Sequence, residues 1–281
     1  NTGTGVAAAT TGIIQQSTTA GHVISGNNIH SLTNSAASAA TNIVGFFYNG
    51  STSVTNTISK NFIHSLGLAT SSNSATTTIT GIQINTGLVN VVNNMVRLGI
   101  DSAGNDVAGN YLIRGILHTP ATANSVYYYN TVYIGGSGVG TGSNKTYAFN
   151  RTAASGNIYI KNNIFYNTRS NGTGTGNHFA VGMTNMTGIA AANVNYNYLS
   201  ANGTGGAIGE EATTARTTLV DWQGAANTPD VNSLTGTLTF VDATGDAASV
   251  NVHINNTVPT QIESAGTTTG ARAGPGHAGQ G

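Results

Sequence analysis

Cysteine is absent from these 281 residues and charge nearly so: Lys, Arg, Asp and Glu make up 6% of the chain, against about 25% in ordinary globular domains. Without Cys there is neither a disulfide framework nor a Cys-based metal site. Nine cations balance nine acids, so no basic surface exists to hold nucleic acid or an anionic membrane by counterion release. No apolar run of 18 residues is present for membrane insertion, and no secretory leader is visible. The chain begins with Asn rather than Met, which reads as a processed or excised piece of something longer. Strong helix formers such as Leu, Glu and Lys are sparse, and no amphipathic stretch reaches about ten residues. Ser/His/Asp groupings, phosphate-binding loops and dinucleotide fingerprints are missing, so no cofactor is expected.

Thr, Asn, Ser, Ala and 38 Gly take the place of charge. Such a composition suits a flexible linker, but Ile, Val, Tyr and Phe recur at fixed intervals. A small residue followed by an apolar one appears at Gly12, Gly45, Gly81, Gly115, Ala148 and Ala180, spaced 33, 36, 34, 33 and 32 residues apart. A second marker, Asn27, Asn61, Asn94, Asn130, Asn162 and Asn197, keeps the same beat at 34, 33, 36, 32 and 35. Two positions after it stand Ile29, Ile63, Val96, Val132, Ile164 and Leu199. Three before it stand Ile24, Ile58, Val91, Tyr127, Tyr159 and Val194.

Within each copy apolar residues alternate in runs of four to six, broken by Gly, Asn, Ser or Thr, which is the pattern of strands and corners. A 33-residue unit holds three strands. Stacking such units gives an all-β parallel β-helix, a solenoid of about six coils whose repeated apolar columns share one interior. At each corner the Asn would adopt a left-handed backbone and hydrogen-bond its amide to the Asn one coil away. The blander alternative is that Asn is simply a common turn residue.

Residues 1–204 read as coils, 205–266 as a capping segment of the same domain over the last open coil, and 267–281 as a flexible tail. In the cap, residues 210–223 suggest a short helix carrying the only Trp, and 238–241 and 250–254 suggest strands. Gly/Ser/Thr/Asn-rich insertions at 71–78, 101–110, 135–145 and 171–177 all follow the third strand of a coil, which is either a binding face or filler.

The coil signatures Asn163-Ile164 and Tyr147-Ala148-Phe149 resemble right-handed parallel β-helix proteins of the pectin-lyase-like fold. The cap is similar in the order of its pieces: Asp221-Trp222-Gln223, Asn232-Ser233-Leu234, Phe240-Val241-Asp242, Val252-His253-Ile254, Pro259 and Ile262 through Gly266. In particular the chain resembles the large secreted β-helix proteins of Bacteroidota, many exported by the type IX system. That resemblance implies an extracellular or cell-surface location. The ending Pro275-Gly276-His277 departs from the acidic ending such domains often carry.

The same fold hosts polysaccharide lyases and glycoside hydrolases. Hydrolysis needs a carboxylate pair, yet the first 100 residues contain no acid. Asp101 with Asp106, and Asp242 with Asp246, read as turn residues before they read as cation ligands. The most suggestive polar column lies three residues after the Asn marker: His30, His64, Arg97 and Tyr133, followed by Phe165 and Ser200. Pointing outward, it would form a basic stripe turning aromatic, suited to glycans; an ordinary solvated face is the alternative. Asp101-Ser102-Ala103 matches the acceptor pattern of Bacteroidota O-glycosylation at Ser102. The expected function is a non-enzymatic structural or adhesin-like module, contacting glycans or other surface proteins. A polysaccharide lyase or glycosidase, and a filament subunit that self-associates through its coil ends, are the alternatives.

Overall fold

The computed structural model describes residues 10–36, 41–68, 76–121, 124–262 and 266. They form a nearly all-β solenoid in which six repeat copies make about five turns from first to last. Three parallel sheets run its length. The first contains Thr10–Gln15, Asn42–Asn49, Thr78–Thr86, Leu112–His118, Thr146–Arg151, His178–Met183 and Gly206–Glu211. The second contains Val23–Ser25, Thr55–Ser59, Leu88–Val92, Ser125–Tyr128, Ile158–Lys161 and Val194–Asn195. The third contains Asn28–His30, Phe62–His64, Met95–Leu98, Thr131–Ile134, Ile164–Asn167 and Tyr198–Ala201. The parallel ladder thus extends past residue 204, into the first strand of a seventh coil. At about 4.8 Å per step the seven strands of the first sheet span roughly 29 Å.

The interior is built from columns. Ile29, Ile63, Val96 and Val132 are successive Cα partners, and the column continues through Phe165 and Leu199. On the second sheet Ile24, Ile58, Val91, Tyr127, Ile160 and Val194 do the same. Most of these side chains are fully buried, each such Val, Ile, Leu or Phe contributing about 1.5–3 kcal/mol. The small-residue marker has a steric cause. A Cβ on Gly45, Gly81 or Gly115 would lie 2.2–2.5 Å from a methyl of Ile63, Val96 or Val132, the inward residue of the same coil's third strand.

The fifth coil corrects the sequence reading by one residue. Phe165 and Ile160 point inward where Ile164 and Tyr159 were expected, and the ladder residue is Asn163, not Asn162. Each ladder Oδ1 accepts both the backbone N–H and an amide proton of the Asn one coil below: Asn27 to Asn61 (3.1 and 2.8 Å), Asn61 to Asn94 (3.0 and 2.9 Å), Asn94 to Asn130 (3.0 and 3.0 Å), Asn130 to Asn163 (2.9 and 3.0 Å) and Asn163 to Asn197 (3.0 and 3.0 Å). The second amide proton of Asn61, Asn94, Asn130, Asn163 and Asn197 goes to a backbone carbonyl of the inward column, such as Ile24, Ile58 or Val91.

The left-handed conformation belongs to the preceding residue in every coil: Gly26, Lys60, Asn93, Tyr129, Asn162 and Tyr196 have φ of 55–70°. Asn162 serves there, one place short of the ladder. An L-residue in that region costs about 1–2 kcal/mol, partly offset by the greater unfolded-state freedom of glycine. Lys60→Gly, at an exposed corner, is therefore expected to stabilise the protein by about 0.5 kcal/mol. Urea denaturation measures it, and a loss of stability would contradict the strain.

The last coil has no open edge. Thr214–Arg216 pairs antiparallel with Gly206–Glu211, and the helix is confined to Leu219–Gln223, capped by a reciprocal Thr218–Asp221 pair. Residues 210–211, expected to be helical, are strand. Trp222 is fully buried and lies over Gly209, where a Cβ would sit 2.2 Å from its ring; the interior ends on that indole. The Asn ladder ends nearby. Asn197 donates to Ser233 Oγ (2.7 Å) and to Asp230 Oδ1 (2.8 Å), while the indole N–H reaches Asp230 Oδ2 (2.8 Å).

Beyond residue 233 the chain does not continue to cap the end. It runs back along the outer face of the third sheet. Leu234 pairs with Tyr198 of the sixth coil, Leu238 N–H meets Tyr166 Oη of the fifth, and Phe240 packs edge-on to Tyr166 and to Tyr133 of the fourth. The carbonyls of Ala243 and Gly245 reach Arg97 of the third. Phe240–Asp242 then pairs antiparallel with Asn251–Ile254, close to the expected 238–241 and 250–254 strands. This strap and the sheet beneath enclose a second apolar cluster including Tyr133, Tyr166, Tyr198, Phe240 and Val252. Residues 267–281, expected as a tail, lie outside the described residues, as do 71–75 of the first insertion.

Candidate functional site

The column His30, His64, Arg97, Tyr133 does align coil on coil, and it continues through Tyr166 rather than Phe165 before Ser200. It turns away from the interior, yet it is not an open face. His64, Arg97 and Tyr133 are 1%, 0% and 7% exposed; His30 alone is open. The strap is the reason. Arg97 donates to the carbonyls of Ala243 (3.0 Å), Gly245 (2.5 Å), Ile100 (3.1 Å) and Asp101 (3.4 Å) and to Ser65 Oγ (3.3 Å). Its charge is dissolved in backbone dipoles, and burial lowers its pKa to about 10.

His64 stacks on His30 at 4.9 Å and 5°. Both its ring nitrogens are occupied, by Ser65 Oγ at 3.0 Å and Asn28 Oδ1 at 2.9 Å, so no lone pair remains for a metal. Among the described residues no group of three His, Asp or Glu converges to hold an ion. Asp101 Oδ1 accepts from the N–H groups of Ala103 and Asn105, a turn role, while Asp106 Oδ2 accepts from Ser137 N–H one coil on. Asp242 and Asp246 likewise accept backbone N–H groups of their own turns. Ser102 is exposed in the turn after Asp101, its carbonyl taking the Ala247 N–H.

Two regions missed in the sequence remain accessible. The outer face of the second sheet carries Val126 beside Tyr159 and Tyr128 beside Lys161. At the adjoining corner Tyr129 and Tyr196 project from the left-handed positions of the fourth and sixth coils, two coil steps or roughly 9.6 Å apart. Tyr129 is 38% exposed and lies edge-on to Tyr128 at 6.3 Å. Between Tyr129 and Tyr196 lies a hollow of about 230 Å³, floored by Tyr198, Leu234 and Ile262 and rimmed by Asn162 and Asn232. The signal in the sequence is the Tyr127-Tyr128-Tyr129 run with Tyr159 and Tyr196 one and two repeats on.

The second region is a cleft of about 380 Å³ on the outer face of the first sheet. Gly182 leaves a gap between the fifth and seventh coils, and the Tyr147 ring lies over it, 2.5 Å from where a Cβ would stand. Its hydroxyl thereby reaches Glu210 Oε2 at 2.6 Å, while Lys145 pairs with Oε1. Loss of hydration and the adjoining Glu210 hold the Tyr147 phenol far above its ordinary pKa, so it stays protonated. Arg114, the Cα partner of Tyr147, donates Nε–H to Asn150 Oδ1 at 3.0 Å.

Four further groups in the fold are buried histidines and arginines with structural partners. Arg151 donates to the carbonyls of Asn185, Ser155 and Gly156, and Arg169 to those of Gly135 and Gly109. His118 meets Tyr127 Oη at 2.7 Å, and His178 lies between Thr146 Oγ1 and Asn171 Oδ1, each at 3.0 Å. Arg151, Arg169 and His178 staple coil to coil, and His118 joins two strands of its own coil. In comparison with known proteins, no family model, no curated protein and no solved structure matches the chain.

Proposed function

We propose that the chain is a non-enzymatic rod, secreted or displayed at a cell surface, that contacts glycans through the tyrosine corner between its second and third sheets. The observation that carries this reading is the pair Tyr129 and Tyr196, held two coils apart on a rigid scaffold around an apolar-floored hollow with amides at its rim. Sugar rings lay their C–H faces on aromatic rings and their hydroxyls on such amides, and a preformed site loses little entropy on binding. A charge-poor, Thr- and Asn-rich exterior suits an extracellular rod. The finer kinship, with right-handed, pectin-lyase-like β-helix proteins of Bacteroidota, is supported by the ordered cap segments from Asp221 to Gly266 and by the chirality rule for parallel crossovers.

Cleavage of a polysaccharide would ask for a second carboxylate beside Glu210, and the other charged groups lining that cleft are Arg114 and Lys145. Association through coil ends would involve the first coil, because Thr214–Arg216 and Trp222 cover the last. The test is a glycan array followed by titration of the best hit. Tyr129→Ala and Tyr196→Ala are each expected to weaken binding about tenfold, some 1.4 kcal/mol, with melting transitions unchanged. Undiminished binding by both variants, or turnover of the bound glycan, would overturn the reading.

A further inference from the structure

We propose that the cleft on the outer face of the first sheet binds an anionic group, a carboxylate or a sulfate or phosphate ester, on the guanidinium of Arg114. The site lies on a different sheet from the tyrosine corner and does not depend on it.

Four arginines are at least half-buried in the coils, and three of them have their terminal nitrogens on backbone carbonyls: Arg97, Arg151 and Arg169. Arg114 differs. Its Nε–H is tied to Asn150 Oδ1, which fixes the plane of the fork, and neither terminal nitrogen has a partner among the described residues. Arg114 lines the cavity. A fork held by its Nε and open at its two terminal nitrogens is the geometry that takes two oxygens of an oxyanion.

Charge balance points the same way. Lys145 and Glu210 neutralise each other, and Tyr147 is held as the neutral phenol. The cleft is left with one uncompensated positive charge in partly desolvated surroundings, where burial already lowers the Arg114 pKa. An arriving anion relieves that cost. The Tyr147 ring, stacked on Phe179 at 5.3 Å, gives the cleft an apolar flank, and about 380 Å³ holds a group the size of one sugar or small organic acid.

Calorimetric titration with sodium glucuronate, glucose 6-sulfate and glucose at low ionic strength tests the proposal. The two anions are expected to bind with Kd on the order of 1 mM, weakening with salt, and glucose not at all. Arg114→Gln is expected to weaken both anions about tenfold, and Arg114→Lys, which keeps the charge without the fork, by less. Glu210→Gln is expected to tighten binding several-fold, because it removes the neighbouring negative charge and frees Lys145; a merely structural role for the cluster predicts no gain. Tighter binding of an alginate oligomer than of glucuronate identifies the anion as a polymer substituent; equal binding identifies a free acid. Absence of saturable anion binding, equal binding of glucose, or unchanged affinity in Arg114→Gln would overturn the proposal. None of these results bears on the tyrosine corner, which the Tyr129 and Tyr196 variants report separately.

Discussion

Acidification from pH 7 to pH 4 is expected to remove on the order of 5 kcal/mol of stability, and the cause is three buried neutral histidines. His64, His118 and His178 are 1%, 1% and 0% exposed. Burial is the largest cause depressing each pKa, with Arg97, Arg151 and Arg169 respectively adding repulsion: His64 and His178 fall to about 4 and His118 to about 3. The hydrogen bonds of His64 and His178 suit the neutral ring. Asn28 Oδ1 and Asn171 Oδ1 accept from Nε2 of His64 and His178, which leaves Nδ1 to accept from the hydroxyls of Ser65 and Thr146, one donor and one acceptor as neutral imidazole supplies.

Because the folded pKa lies below the unfolded value near 6.5, the unfolded chain takes up protons first as pH falls. Stability is whole above pH 6.5, declines below it, and levels off only once the folded rings titrate near pH 4 to 3. Depression from 6.5 to about 4 or 3 is worth about 3–5 kcal/mol per residue; local opening of single coils reduces the sum. Asp230 opposes the trend slightly, since burial raises its pKa and its protonation in the fold stabilises as pH falls. Urea melts at pH 7, 6, 5 and 4 measure the slope. His64→Gln, His118→Gln and His178→Gln should each flatten it, whatever their stability at pH 7, and a stability independent of pH down to 4 would refute the account.

The solenoid was legible in the sequence because its two markers answer to two repeated physical demands. One is a glycine or alanine where the first strand meets an inward side chain; the other is an amide at a corner that stacks upon itself. The slip at Asn162 has the same origin: Asn occupies both the left-handed corner position and the ladder position in the fifth coil, so residue type does not separate them. The intervals with Asn163 are in fact the more even, 33 and 34 in place of 32 and 35. The burial of Arg97 and Tyr133 was not legible. It depends on the strap, whose contacts to Arg97 are the carbonyls of Ala243 and Gly245, and carbonyls carry no side-chain signature. The Arg114 cleft escaped for a related reason, since it joins Tyr147 to Glu210 across a residue that is informative only by lacking a side chain, Gly182.

Asn130→Ala is expected to cost about 4 kcal/mol, far more than loss of an ordinary turn residue. The wild-type side chain is 1% exposed and makes four hydrogen bonds: it accepts from Asn94 N and Nδ2 and donates to Val91 O and Asn163 Oδ1. Alanine removes all four and leaves the Asn94 N–H without an acceptor in a dry corner, a loss of roughly 1–3 kcal/mol for each buried group stranded. Asn105→Ala, at an exposed turn with one long contact of 3.4 Å to Asp101, should stay within about 0.5 kcal/mol. Asn130→Asp separates the roles of the amide. It keeps the two acceptor bonds but loses both donors and buries a charge, so at pH 7 it should be at least as damaging as alanine. Measured against wild type at the same pH, its deficit should shrink on acidification as the carboxyl protonates and regains one donor, while that of alanine stays constant. Since the ladder joins each Asn only to those one coil away, amide exchange should quicken first around Asn94 and Asn163. A cost under about 1 kcal/mol for Asn130→Ala would reduce the ladder to a row of common turn residues, and the sharp register of the stack would then need another cause.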